Sequence, residues 1–122
     1  MRIRNANIYT EEHRFVRGDA AVENGRFVSC TGEPAGEEAV VDAEGMYLIP
    51  GLVDIHFHGC KGADMCDGTK EALDVITSYE ASVGVTSVCP ATMTIPKDEL
   101  LEVMKNAGSY EYSGGSHLVG IN

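Results

Sequence analysis

The sequence predicts an α/β fold: a small antiparallel β portion over residues 1–49, then a β-α-β-α-β run over residues 50–122. Three observations predict it. Short β-prone stretches broken by turn residues fill the first part. Pro50-Gly51 marks a change of texture. Beyond it, short apolar runs alternate with two stretches of helical periodicity, the pattern of a parallel sheet with right-handed crossovers.

Each element has a local reason. Arg2–Tyr9 alternates small or apolar residues with polar ones, as a strand does. Asn24-Gly25 lies between the β-prone residues 19–23 and 26–29. It predicts a two-residue hairpin, because both central positions of a type I′ turn need positive φ. Residues 31–38, with Gly32, Pro34 and Gly36, read as a loop. Residues 39–42 and 46–49 are two further short strands, and this part reads as a portion of a β-sandwich.

In the second part, residues 52–57 form a strand and residues 58–68 a Gly-rich loop. Thr69 suits a helix N-cap, with Glu71 placed in the first turn to meet the helix dipole. Leu73, Ile76, Tyr79 or Glu80, and Val83 then recur near helical spacing until Gly84 stops the helix. Residues 85–89 form the next strand. Pro96 opens a second helix, since its missing N–H is tolerated only in the first turn. Leu100, Leu101, Val103, Met104 and Ala107 supply that helix with an apolar face, and Gly108 ends it. Residues 109–115 are a polar loop and residues 117–121 a third strand.

Composition narrows the function classes. Among 122 residues, 9 Lys and Arg face 19 Asp and Glu, a net charge of −10. This acidic balance argues against nucleic acid and against a membrane surface as partners. No apolar run reaches the roughly 18 residues of a membrane span. Met1-Arg2-Ile3-Arg4-Asn5 lacks the apolar centre of a signal peptide, so a cytoplasmic location is expected. Cys30, Cys60, Cys66 and Cys89 form no C-x-x-C pair, and free thiols in a reducing compartment are expected. Cys30 and Cys89 sit in apolar runs and read as small core residues.

The chemistry concentrates in Pro50-Gly51-Leu52-Val53-Asp54-Ile55-His56-Phe57-His58-Gly59. Residues two apart on a strand share a face, which puts Asp54, His56 and His58 together. Two imidazoles at the C-terminal end of a parallel strand can grip one metal ion, and that end is where such sheets bind ligands. His56 and His58 are therefore the candidate metal ligands. Asp54, one step deeper, is placed to orient a ring through its second nitrogen. Imidazole ligands suit Zn, Fe, Ni and Co alike.

Residues 50–58 resemble the first-strand signature of the amidohydrolase superfamily. Three segments carry a narrower resemblance to its N-acetylglucosamine-6-phosphate deacetylase family: residues 59–67 (GCKGADMCD), 84–94 (GVTSVCPATMT) and 117–122 (HLVGIN). The resemblance implies a partial (β/α) TIM-type barrel, its first three strands and two helices, preceded by the β-sandwich portion. It implies a divalent metal cofactor and a small amino-sugar phosphate substrate. The reaction would be deacetylation of N-acetylglucosamine 6-phosphate to glucosamine 6-phosphate and acetate. It also implies that the chain is an N-terminal fragment. In that family the third strand runs into a Glu-Gly-Pro segment whose Glu is a ligand. Two more His ligands and the general base lie further on, so no catalytic residue is assigned within these 122 residues. Some family members lack the His pair; its presence here implies occupancy of the more buried metal position.

Two alternatives stand beside this reading. One is another amidohydrolase, such as a dihydroorotase-, deaminase- or aminoacylase-like enzyme. The other is a non-catalytic module: three barrel strands leave exposed edges and an uncovered apolar face, from which self-association into a homo-oligomer is expected. Remaining polar residues have plainer readings. Thr92 and Thr94 suit turn and capping chemistry before Pro96. Asp64 and Asp67 suit helix capping. Lys61 is a lone loop lysine with slight promise for a phosphate. His117 lies at the wrong end of its strand, His13 in a polar stretch, and Tyr110, Glu111 and Tyr112 in a surface loop.

Overall fold

The computed structural model describes residues 1–28, 39–111 and 114–122. The expected loop at 31–38, Cys30 and Tyr112 lie outside the described residues. The chain forms two compact units, Met1–Pro50 and Gly51–Asn122.

The first unit holds β1 (Arg2–Tyr9), β2 (Phe15–Glu23), β3 (Arg26–Val28), β4 (Val40–Asp42) and β5 (Tyr47–Leu48) in one sheet. Strands β1 and β2 pair antiparallel from Arg2↔Ala21 to Tyr9↔Phe15. The β2–β3 hairpin turns on Asn24 (φ 50°) and Gly25 (φ 73°), as the Asn-Gly pair predicts. The expectation of a wholly antiparallel sheet is corrected, because β4 and β5 run parallel to β1. The connection from Val28 to Val40 is long enough for a crossover, whereas a tight turn would force antiparallel pairing. Among the described residues this unit has a single sheet rather than two packed ones.

A register shift interrupts β1 between Ile3 and Ala6, where Asn5 takes φ 62°. Asn tolerates this left-handed geometry better than most residues. Its backbone N–H donates to Asp19 Oδ1 at 2.9 Å and its Nδ2 to Asp42 Oδ1 at 3.0 Å. The second bond holds the Asp42 carboxyl below the usual range. The buried residues described in this unit are Arg2, Ala6, Ala21 and Ala43, while Phe27 and Tyr47 stay exposed.

The second unit holds β6 (Leu52–Asp54), β7 (Gly59–Cys60), β8 (Ala63–Asp64), α1 (Lys70–Ser82), β9 (Val85–Val88), α2 (Lys97–Gly108) and β10 (His117–Leu118). Strands β6, β9 and β10 form the expected parallel sheet with β9 in the middle; Asp54 and Leu118 both align with Val88. Thr69 caps α1, its Oγ1 accepting the Ala72 N–H at 3.2 Å, and Gly84 (φ 91°) follows the helix end. Pro96 is the N-cap of α2. Met65, Leu73 and Val103 form the core cluster, joined by half-buried Ile95, Tyr110, Leu118 and Ile121.

Five expectations change here. Strand β10 ends at Leu118 rather than Ile121. Strand β6 stops at Asp54 rather than Phe57. The Gly-rich loop contains the β7–β8 hairpin, turning at Lys61 (φ 52°) and Gly62 (φ 82°), and a short 3-10 turn over Met65–Asp67. The apolar face of α2 is narrower than its composition suggests: Val103 is buried but Leu101 and Met104 are exposed. Tyr110 is no ordinary surface residue, for its hydroxyl donates to Asp74 Oδ1 at 2.9 Å and lies 3.0 Å from Thr77 Oγ1. No described helix is long and apolar enough to cross a membrane.

Candidate metal centre

The centre lies at the C-terminal ends of the parallel strands. Past the regular ladder, single backbone bonds continue to tie the strand extensions together. The Cys89 N–H donates to Asp54 O at 2.8 Å and the Ala91 N–H to Phe57 O at 2.6 Å. On the other side the Val119 N–H donates to Val88 O at 3.0 Å and the Asn122 N–H to Pro90 O at 2.9 Å. These bonds hold the His56–His58 segment against the loop that follows β9.

His58 is half-buried, and its Nδ1 lies 3.1 Å from Ala91 O. A carbonyl only accepts, so Nδ1 carries the proton and Nε2 keeps its lone pair. His56 is exposed, and its ring stands edge-to-face with that of His58, centroids 5.5 Å apart. The structure therefore brings the two imidazoles together. The half-buried Asp54 does something other than the expected ring contact: its Oδ1 accepts the backbone N–H of His56 at 3.0 Å. That local bond competes with the strand ladder and coincides with its end.

His58 presents a lone pair backed by a carbonyl, the arrangement of a metal-binding histidine, and His56 stands beside it as the second candidate ligand. Among the described residues no group of three or more His, Cys, Asp or Glu side chains is placed to hold an ion.

The other candidates take structural places. Asp64 and Asp67 form a reciprocal capping box on the 3-10 turn: the Cys66 N–H donates to Asp64 Oδ1 at 2.7 Å and the Asp64 N–H to Asp67 Oδ2 at 2.9 Å. Lys61 Nζ lies 4.8 Å from the Tyr79 ring centroid, a cation–π contact. The Thr92 N–H donates to Asn122 O at 3.3 Å, and Thr94 is exposed. His13 pairs with the Tyr9 hydroxyl through Nδ1 at 3.1 Å. His117 lies at the N-terminal end of β10, beside Thr86 and Gly115 and away from the His pair. Cys60, Cys66 and Cys89 are free and half-buried.

Sequence reasoning missed three participants. The Ala91 carbonyl and the Asn122 amide both contact the imidazoles. A backbone carbonyl leaves no mark in a sequence, and Asn122 looks like an ordinary residue after an apolar strand. The third is Glu80, nearly fully buried on α1. Burial raises its pKa, and the negative charge of Asp54 raises it further. Burial also raises the Cys60 thiol, with Glu80 adding to the effect and Lys61 opposing it.

A raised pKa in the folded state means that folding favours the protonated Glu80. Its contribution is fully present below the ordinary glutamate range and is lost as pH rises through the raised value. Glu80→Gln is thus expected to stabilise the protein near pH 7. The gain should shrink at a pH below the ordinary glutamate range, where the parent is already neutral. Thermal unfolding at both pH values checks this; an equal gain at both would show that charge is not the cause.

No family model matches the sequence. Against curated proteins, the chain is 29% identical over 122 residues to the N-acetylglucosamine-6-phosphate deacetylase of Bacillus subtilis (strain 168), covering 97% of this chain and 31% of that protein. Its relatives include N-acetylglucosamine-6-phosphate deacetylases. A dihydroorotase of Lactobacillus gasseri is 32% identical over 105 residues, covering 84% of this chain and 23% of the relative. The crystal structure of the N-acetylglucosamine-6-phosphate deacetylase from Pasteurella multocida matches with a TM-score of 0.78 at 23% identity, covering 96% of this chain and 33% of the other. That likeness shows the α/β fold. The chain spans under a third of the length of the deacetylase relatives named here.

Proposed function

We propose that the chain supplies the N-terminal part of a metal-dependent hydrolase that converts N-acetylglucosamine 6-phosphate to glucosamine 6-phosphate and acetate. In this reading β6, β9 and β10 are the first three strands of a (β/α) barrel, and residues 1–49 belong to an accompanying β-sandwich. One observation carries it, the alignment of nearly the whole chain with a deacetylase, and the two imidazoles side by side at the C-terminal end of a parallel sheet support it. His56 and His58 would hold a divalent ion of the Zn, Fe, Ni or Co class. The chemistry such an ion supplies is activation of water and polarisation of an amide carbonyl. The residues of this chain do the holding. His58 is oriented by the Ala91 carbonyl, and Asp54 fixes the backbone at His56.

Acetate release from N-acetylglucosamine 6-phosphate, by protein expressed from the complete reading frame, tests the activity. Hydrolysis of dihydroorotate in place of the sugar phosphate would move the assignment to the second class of relative. For the site itself, the double variant His56→Ala, His58→Ala is expected to weaken Zn²⁺ binding at least about tenfold. Calorimetric titration of parent and variant measures it, and equal affinities would remove both rings from the site.

A further inference from the structure

We propose that Asn122 is a positioning residue: its side-chain amide fixes the His56 proton on Nε2, opposite to His58, so that His58 is available to a divalent ion before His56 is. The ion part of this statement rests on the reading of the pair as ligands. The proton positions do not.

The geometry is over-determined. Asn122 Nδ2 lies 2.8 Å from Ile55 O. A carbonyl oxygen only accepts, so the amide edge turned to Ile55 is the NH₂ and not Oδ1. The same nitrogen lies 3.2 Å from His56 Nδ1. An NH₂ has two hydrogens to give and accepts nothing, so one goes to Ile55 O and the other to the ring. Nδ1 of His56 must then be the acceptor, and the proton of the neutral imidazole sits on Nε2. His58 has the reverse arrangement, because its Nδ1 faces the Ala91 carbonyl.

The Asn122 backbone is anchored as well. Its N–H donates to Pro90 O at 2.9 Å, and its carbonyl accepts from the Thr92 N–H at 3.3 Å. The side chain can release His56 only by rotating its amide and giving up the Ile55 bond too. Two chemically equal histidines are thereby made unequal. His58 has a free lone pair on Nε2, and His56 has an N–H there. An ion binds a nitrogen lone pair, so His56 offers Nε2 only after the Asn122 contact is lost and the ring proton moves from Nε2 to Nδ1.

Nitrogen-15 NMR of the imidazoles in metal-free protein reads the proton positions directly. The expected result is Nε2–H for His56 and Nδ1–H for His58. Asn122→Asp replaces a donor with an acceptor and should invert His56 to Nδ1–H while leaving His58 unchanged. Stepwise addition of Zn²⁺ to the parent should shift the His58 Nε2 resonance first. In Asn122→Asp both rings should shift together, with affinity about tenfold tighter. Asn122→Leu, which has no polar group, should leave the His58 signals in place and so report that the fold survives. His56 found as Nδ1–H in the parent, or unmoved in Asn122→Asp, overturns the proposal. The expected tautomers without Zn²⁺ binding in any of the proteins would overturn the ligand reading and the order of binding, and would support the proton positions.

Discussion

Gly59→Ala is expected to destabilise the second unit by about 3 kcal/mol, the range of severe overpacking. A Cβ built at Gly59 would lie 2.0 Å from the Ala63 carbonyl oxygen and 2.7 Å from the Asp64 Cα. Both atoms are backbone, so no side-chain rotation relieves the clash. The strands of the β7–β8 hairpin would have to separate where Gly59 pairs with Asp64. Two features depend on that hairpin. Asp64 is the cap of the 3-10 turn, and Met65, the first residue of that turn, is buried in the core cluster and donates its N–H to His58 O at 2.7 Å. The substitution should therefore also loosen His58. Chemical denaturation gives the stability. A loss under about 1 kcal/mol would show that the hairpin gives way more easily than its contacts suggest.

Leu73→Ala is expected to cost about 3 kcal/mol, within the usual range for truncating a buried leucine. Leu73 is 3% exposed and belongs to one cluster with Met65 of the 3-10 turn and Val103 of α2. It is the α1 member of that cluster. Collapse around the vacancy is limited, because Met65 is tied through the backbone to His58 and Asn106 Nδ2 donates to Gly68 O next to the same turn. The loss should appear as a lowered denaturation midpoint with an unchanged slope. A changed slope would mean that α1 no longer docks at all.

Much of this fold was legible because single residues carry strong local instructions. Asn24-Gly25 can hardly do anything between two β-prone runs except turn, and Thr69, Gly84 and Pro96 mark helix ends through their own hydrogen-bonding or backbone limits. The direction of β4 and β5 was not legible, since strand direction is decided by pairing across the sheet rather than by anything within three residues of sequence. The β7–β8 hairpin was hidden inside a loop because its strands are two residues long, too short to show alternation. In the centre, the period of two found the histidines but overran the strand. It could not see that Asp54 would spend its oxygen on the His56 backbone. Helical spacing leaves Tyr79 and Glu80 as equal choices for one face of α1, and the structure turns Glu80 inward, at 8% exposure.

The two larger sheets differ in a way that bears on biosynthesis. In Gly51–Asn122 the spatial sequence of strands is the chain sequence, β6 then β9 then β10. Each new strand emerging from a ribosome finds its neighbour already waiting, so this sheet can grow vectorially, one βα step at a time. The β1 strand of the other sheet has no such luck: one edge pairs early with β2, but the opposite edge stays bare until residues 40–48 have been translated. A nascent chain stalled before that point would display an unpaired strand edge, the feature most prone to sticking to a neighbouring polysome product.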